Sequence, residues 1–285
     1  MKKCPYCGKE YPDEATTCSI DGESLRDNNL QPPISDEQIV EALPDKNTPY
    51  LTFPDYQWSA RDAWKCLGMF LVFELILEVF ISVLDWHCPG FFNWHKSGFG
   101  YFSTRFLYFS IFVLTAIYFA RTETLATFWK GFGLDRKPSD YVWIGIVMAL
   151  ILRFLGHFIL IHGWSKGVSN YEVNAFRQTF DSERYFFLLP LLLLAPLFEE
   201  SVNRGFLYKA FRGSYSIKVS MALIVAWTAF THWSQYHHSW VAALDLSILT
   251  IVQCYLREKS DSLWDCILCH LVFNASSFFV DGTLR

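Results

Sequence analysis

Seven charge-poor apolar stretches, near 64–84, 103–120, 141–162, 184–200, 219–233, 239–256 and 262–280, constrain this chain more than anything else in it. Each approaches the ~20 residues that a helix needs to cross a bilayer. Charged residues make up 18% of the sequence, against about 25% in ordinary soluble domains. Stretches this apolar and this numerous do not fit a soluble core. The expected fold class is an all-α polytopic membrane protein, a bundle of about seven transmembrane helices. A net charge of −4 gives no reason to expect nucleic acid as a partner.

No secretory signal is expected, because Lys2 and Lys3 are followed by cysteines, Pro and acids rather than an apolar core. Counting basic residues beside the spans gives ten for the side shared with the N-terminus (Arg121, Lys130, Arg136, Lys137, Arg204, Lys209, Arg212, Lys218, Arg257, Lys259). The other side has six (Lys96, Arg105, Lys166, Arg177, Arg184, Arg285). The positive-inside rule then expects a cytoplasmic N-terminus and, after seven spans, an external C-terminus.

Residues 1–25 differ in kind from the rest. Cys4 and Cys7 flank two residues and precede Gly8, and Cys18-Ser-Ile-Asp21-Gly22 repeats that geometry with Asp in place of a fourth cysteine. Zinc takes four tetrahedral ligands and accepts carboxylate as well as thiolate. The expectation is a small N-terminal cytoplasmic zinc ribbon, with structural zinc on Cys4, Cys7, Cys18 and Asp21; a ribbon that has lost its metal is the alternative. Its balance of four basic against six acidic residues over 1–30 points to a protein partner rather than a nucleic acid. Residues 26–62 form a linker, in which Ser35-Asp-Glu-Gln38 resembles a capping box opening one short helix. Tyr50 to Trp58 suits an interfacial aromatic belt. Cys66, Cys88 and Cys254 read as packing residues.

Several ionisable residues interrupt the spans. Glu74 and Glu78 share a face of the first, Arg153 lies in the third and Asp245 in the sixth. One of the two glutamates is expected to pair with Arg153 inside the bundle. His157, His162, His237 and His238 fall at span ends. The densest group is Glu199-Glu200-x-x-x-Arg204, closing the run Phe186 to Phe198. Glu200 and Arg204, four apart, can pair on one helix face, whereas Glu199 points elsewhere.

Three blocks then follow in order: Glu199-Glu200-x-x-x-Arg204-Gly205, Trp227-Thr-Ala-Phe230-Thr-His232, and Ser262-Leu263-Trp264 leading to His270-x-x-x-Asn274. This set resembles the CPBP family of intramembrane proteases, which includes the CAAX prenyl endopeptidases of the Ras-converting type and bacteriocin-processing or immunity (Abi-type) proteins. The family carries E-E-x-x-x-R, F-x-x-x-H and H-x-x-x-N/D motifs on separate helices. The first and third match as written; in the second, Thr228 stands where the family has Phe. The resemblance covers 184–281 and begins near Gly131-Phe-Gly-Leu134. It implies a CPBP-type protease domain over 126–285, with additional transmembrane helices over 63–125.

What the resemblance implies can be rebuilt from the residues. Glu199 takes a proton from water, His232 shares that water, and His270 with Asn274 donates to the developing oxyanion. Glu200 and Arg204 support them. The expected activity is an intramembrane endopeptidase acting on a membrane-embedded or lipidated peptide, a prenylated C-terminus being one option, with no cofactor required for catalysis. Three alternatives stay open. His232, His270 and a glutamate could hold zinc as a metalloprotease, although no H-E-x-x-H pair is present. Cys266-x-x-Cys269-His270 has the spacing of haem attachment. The polar residues could instead only join helices in a non-catalytic membrane adaptor. A bacterial inner membrane is favoured over an endoplasmic reticulum, on the compactness of the ribbon fusion.

Overall fold

The computed structural model describes residues 2–3, 10–18, 25, 58–87, 98–121, 124–162, 185–233 and 239–280. Among these, eight helices are present: α1 (Ala60–His87), α2 (Gly98–Ala120), α3 (Leu125–Phe132), α4 (Val142–Ile161), α5 (Tyr185–Arg212), α6 (Ile217–Thr231), α7 (Trp240–Ser260) and α8 (Leu263–Val280). The seven expected spans correspond to the seven longer helices. Four of these, α2, α4, α5 and α7, are long and apolar enough to cross a membrane. The apolar helix α6 is shorter at 15 residues, and α1 carries Arg61, Asp62, Lys65, Glu74, Glu78 and Asp85 along its length. The chain is mostly helical and fits a multi-pass membrane protein. Trp143, Val147, Phe154 and Phe158 form an exposed apolar stripe on α4 at helical spacing; such a stripe is costly in water and ordinary against lipid.

α4, α7 and α8 pack on one another, α6 lies against α7, and α2 bridges α1 and α5. The core is largely aromatic. Phe70 meets Phe112 and Trp227, with ring centroids 4.5 Å and 5.8 Å away. Phe132 lies parallel to Phe206 at 6.5 Å. Gly205, directly after Arg204, makes the last contact possible, because a Cβ there would come within 2.7 Å of the Phe132 ring.

Three expectations change. The segment expected to end at Glu200 continues as helix to Arg212, so both glutamates lie in mid-helix. Arg204, Lys209 and Arg212, counted as cations beside the span, are consequently buried within the helix bundle. Trp58 does not sit in an interfacial belt; it is buried, donates its indole N–H to Ala120 O at 2.9 Å and packs on Phe132 and Phe206. The short helix α3 has no counterpart among the expected elements. Thr124 and Thr127 form a reciprocal capping box at its start, and Gly133, at φ 77°, ends it in the left-handed conformation.

The end of the bundle where α7 turns into α8 is closed by ionic contacts. Arg257 and Lys209 both reach Asp261 Oδ1, at 2.9 and 3.0 Å, and Arg136 reaches Oδ2 at 3.0 Å. Arg212 and the Tyr208 hydroxyl meet at Glu258 Oε1. The segment after α3 is stitched to this turn: Leu263 N–H donates to Gly133 O at 3.0 Å and the Trp264 indole to Leu134 O at 2.9 Å.

At the N-terminus, strands β1 (Lys2–Lys3) and β2 (Glu10–Tyr11) pair antiparallel, Lys2 opposite Tyr11 and Lys3 opposite Glu10. Cys18 is buried with Tyr11 and Leu25, its sulfur 3.1 Å from the Tyr11 hydroxyl. Cys4, Cys7 and Asp21, and the expected linker helix at Ser35, lie outside the described residues.

Candidate active site

Helix α5 is irregular on both sides of its two glutamates. Pro190–Leu194 and Ser201–Leu207 are π-helical turns, the first bonded Ala195 N–H to Pro190 O and the second Tyr208 N–H to Asn203 O. The first leaves one carbonyl without a donor from its own helix. In π register the carbonyl of Leu191 would accept from residue 196, which is a proline and has no N–H. Asn274, on α8, donates its side-chain amide to that carbonyl at 3.0 Å. Single π turns in α-helices occur often at functional sites.

The two adjacent carboxylates occupy different surroundings. Glu200 is fully buried, and its Oε1 accepts from Arg204 Nη1 at 3.1 Å, Gln253 Nε2 at 3.0 Å and His270 Nδ1 at 2.8 Å. Glu199 is half-buried on the wall of a cavity between α2, α4, α5, α6, α7 and α8. Tyr108, on α2, is its electrostatic neighbour, and Glu74 and Arg105 in turn surround Tyr108. Glu200, Arg204, His232, His270 and Asn274 line the same cavity, so all six residues singled out in the sequence border one space.

Both histidines donate from Nδ1 to an oxygen acceptor. His232 caps the C-terminus of α6, its Nδ1 2.9 Å from Thr228 O. A carbonyl only accepts, so this bond needs the proton on Nδ1 and leaves the neutral ring's lone pair on Nε2. Thr228, which replaces the family's Phe, thus contributes its carbonyl, while Trp227 brings an aromatic ring to the cavity wall. His270 donates from Nδ1 to a carboxylate, an arrangement that fixes both ring orientation and tautomer.

Some participants carried no clear signal in the sequence. Gln253 on α7 bridges Glu200 to the Cys266 carbonyl, at 3.0 and 3.5 Å. Asn203, four residues after Glu199, is buried on the cavity wall, and its Oδ1, like Glu200 Oε2, has no hydrogen-bond partner among the described residues. Both are acceptors that water or a peptide N–H would satisfy. The expected pairing of Glu74 or Glu78 with Arg153 is not what the structure contains. Glu74 faces Arg105, whereas Arg153 lies with Asp245 and over the Phe273 ring, 4.0 Å from its centroid.

One of the alternatives meets this geometry directly. The Cys266 and Cys269 thiols are fully buried and donate to Gln253 O at 3.2 Å and Gly145 O at 3.3 Å, so haem attachment would require unpacking α8 from α7 and α4. Among the described residues, no three His, Cys, Asp or Glu side chains are grouped to hold a metal ion.

Residues 181–276, about a third of the chain, match the family model described as type II CAAX prenyl endopeptidase Rce1-like. The matched segment contains α5 to α7 and most of α8, with all six cavity residues above. The similarity supports an intramembrane protease of the CAAX type in general. No curated protein and no solved structure matches the chain.

Proposed function

We propose that this chain is an intramembrane endopeptidase that hydrolyses a peptide bond in a membrane-anchored or hydrophobic substrate, with Glu199 as the base that activates water. The observation that carries the reading is the division of labour between adjacent carboxylates: Glu200 is buried and engaged three times through one oxygen, while Glu199 borders the cavity. Pairs of carboxylates in contrasting surroundings are how one site obtains an orienting group and a proton acceptor together.

In this mechanism Glu199 removes a proton from water that also hydrogen-bonds to Nε2 of His232. The resulting hydroxide attacks the scissile carbonyl. The oxyanion that forms is met by Asn274 and by Nε2 of His270, a role that needs a proton on both ring nitrogens, with Nδ1–H held by Glu200. The proton taken by Glu199 passes to the departing amine, which returns the site to its starting state. Buried, preorganised donors are worth more here than in water, since there is little solvent to reorganise. A prenylated CAAX-type substrate agrees with the family similarity, and a bacterial inner membrane remains the favoured location.

The N-terminal segment is proposed to bind one structural zinc through Cys4, Cys7, Cys18 and Asp21, apart from the catalytic site. The β1–β2 pairing supports this by bringing the residues just before Cys4 beside Glu10 and Tyr11, with Cys18 buried against Tyr11.

The test uses the full chain in liposomes with a fluorogenic, membrane-anchored peptide. Cleavage by the wild type and its collapse in Glu199→Gln are expected. A fully active Glu199→Gln would overturn the assignment of the base. Inactivation by a chelator, reversed by zinc, in a Cys4→Ser/Cys7→Ser protein would overturn the metal-independent mechanism.

A further inference from the structure

Three buried oxygens of residues on the cavity wall have no hydrogen-bond partner among the described residues: Asn203 Oδ1, Thr228 Oγ1 and Glu200 Oε2. Asn203 and Thr228 are each 5% exposed, and Glu200 is 0% exposed. Buried polar atoms are nearly always paired, because an unpaired one costs the desolvation of its group. Asn203 falls between the fixed positions of E-E-x-x-x-R, and Thr228 stands where the family has Phe. These two polar groups are therefore features of this chain rather than of the family motifs.

Their places along the helices are related. Asn203 follows Glu199 by four residues on α5, and Thr228 precedes His232 by four at the end of α6. From Glu199, α5 runs toward Lys209 and Arg212, which belong to the ionic contacts closing the bundle, and α6 starts from that same end at Ile217. Both residues thus lie one turn nearer the ionic end than the two groups assigned to the water, about 6 Å deeper at 1.5 Å per residue. Glu200 reaches the same space with Oε2, since its Oε1 is taken by Arg204, Gln253 and His270. The Thr228 carbonyl is engaged by His232 Nδ1 at 2.9 Å, which leaves its hydroxyl for the cavity.

The chemistry of the set suits water. Asn203 Oδ1 and Glu200 Oε2 accept, whereas the Thr228 hydroxyl can also donate. One water donates two hydrogen bonds and accepts a third, which meets all three groups, and buried waters typically make about three. A peptide N–H carries one hydrogen and would leave an acceptor unmet. The cavity encloses about 170 Å³, against ~10–15 Å³ for one water.

We infer that Asn203, Thr228 and Glu200 hold a resident water beneath the reacting centre, and that this water refills the nucleophile's place between turnovers. The inference rests on the protease reading above. Each cleavage consumes one water, its hydroxyl going to the new carboxyl and its remaining proton to the departing amine. A hydrophobic peptide lying across the site excludes solvent, so the next water has to come from within the protein. One held a single helical turn from Glu199 and His232 is already there.

The experiment uses the full chain in liposomes with a membrane-anchored peptide. Thr228→Val keeps the shape and the carbonyl that holds His232 and removes the hydroxyl; Asn203→Leu removes the amide at similar volume. Each should lower kcat about tenfold, the scale of one hydrogen bond, with KM within about twofold, and Thr228→Ser should recover most of the loss. The double variant should lose little more than either single one, because both side chains hold the same water. A loss of about a hundredfold in the double variant would mean separate roles and overturn the shared site. Unchanged kcat in both folded variants, or a raised KM at constant kcat, would overturn the supply role; the second result would assign the oxygens to the substrate. An experimental structure of the wild type that resolves waters reads the site without turnover or variants. It should place one about 2.7–3.2 Å from Asn203 Oδ1 and also bonded to Glu200 Oε2 or Thr228 Oγ1. No water there would overturn the inference. A wild type that cleaves no anchored peptide would overturn the protease reading, while the ordered water would still support the site.

Discussion

One oxygen, Glu200 Oε1, gathers an arginine from its own helix, an amide from α7 and an imidazole from α8. Removing its charge affects all three, whereas Glu199 borders the cavity and can be changed without stranding a buried cation. Glu199→Gln should therefore abolish turnover while leaving thermal unfolding in detergent within about 0.5 kcal/mol of wild type. Glu200→Gln should instead lower stability by about 3–5 kcal/mol, the scale for breaking a buried pair, and a fluorescence melt separates the two outcomes. His270→Ala and Asn274→Ala are each expected to lose about 10²–10³ in rate, as for a single oxyanion donor. Rates within threefold of wild type would contradict the roles given to them. The Glu200–Arg204 pair was legible because four-residue spacing puts side chains on one helix face. Gln253 was not: a lone amide in an apolar span carries no periodicity, and its partner lies 53 residues away in sequence.

Among the elements, α5 departs most from what its sequence suggested. Its apolar run reads as a span that stops at the charges, because charge ordinarily ends a membrane helix. Here the charges are neutralised by neighbouring helices and the helix continues to Arg212. The prolines at 190 and 196 were visible, but their consequence, a carbonyl released to Asn274, depends on α8 being alongside. Pro196→Ala restores an N–H that competes for Leu191 O. It should leave the melting temperature unchanged or raise it while lowering kcat by about tenfold, a shift of about 1.4 kcal/mol in the barrier. Unchanged turnover would show that the irregular turn does not set the position of Asn274. Trp58 was misassigned to an interfacial belt for a related reason: aromatic residues before a first span fit one compositionally, and only the packing of α2, α3 and α5 reveals a buried site for it.

At the scale of the whole molecule, the expectation of seven spans came from hydropathy, and four of the described helices meet the length and composition for a crossing, but the basic residues used for orientation were less informative than they looked. Arg204, Lys209, Arg212 and Arg257 are buried in ion pairs rather than facing lipid headgroups. Reporter fusions after residue 28 and at the C-terminus should read cytoplasmic and external, and matching readings at both ends would remove the odd number of spans. Asp261, which has φ 50°, can be replaced by Asn without backbone strain, since Asn tolerates that conformation. The substitution removes the counter-charge of Arg257, Lys209 and Arg136, and should cost about 3–5 kcal/mol in detergent melts. That same ionic floor has a consequence for the cell. A hydrolase in a bilayer must admit water, and a wet passage through the membrane would let protons run down their gradient, driven by about 2.3 kcal/mol per charge at 100 mV. Arg257 donates to Arg204 O at 3.3 Å and pairs with Asp261, so these ionic contacts stand between the cavity residue Arg204 and the turn into α8; for the proposed hydrolase they would be the barrier that keeps admitted water from short-circuiting the membrane.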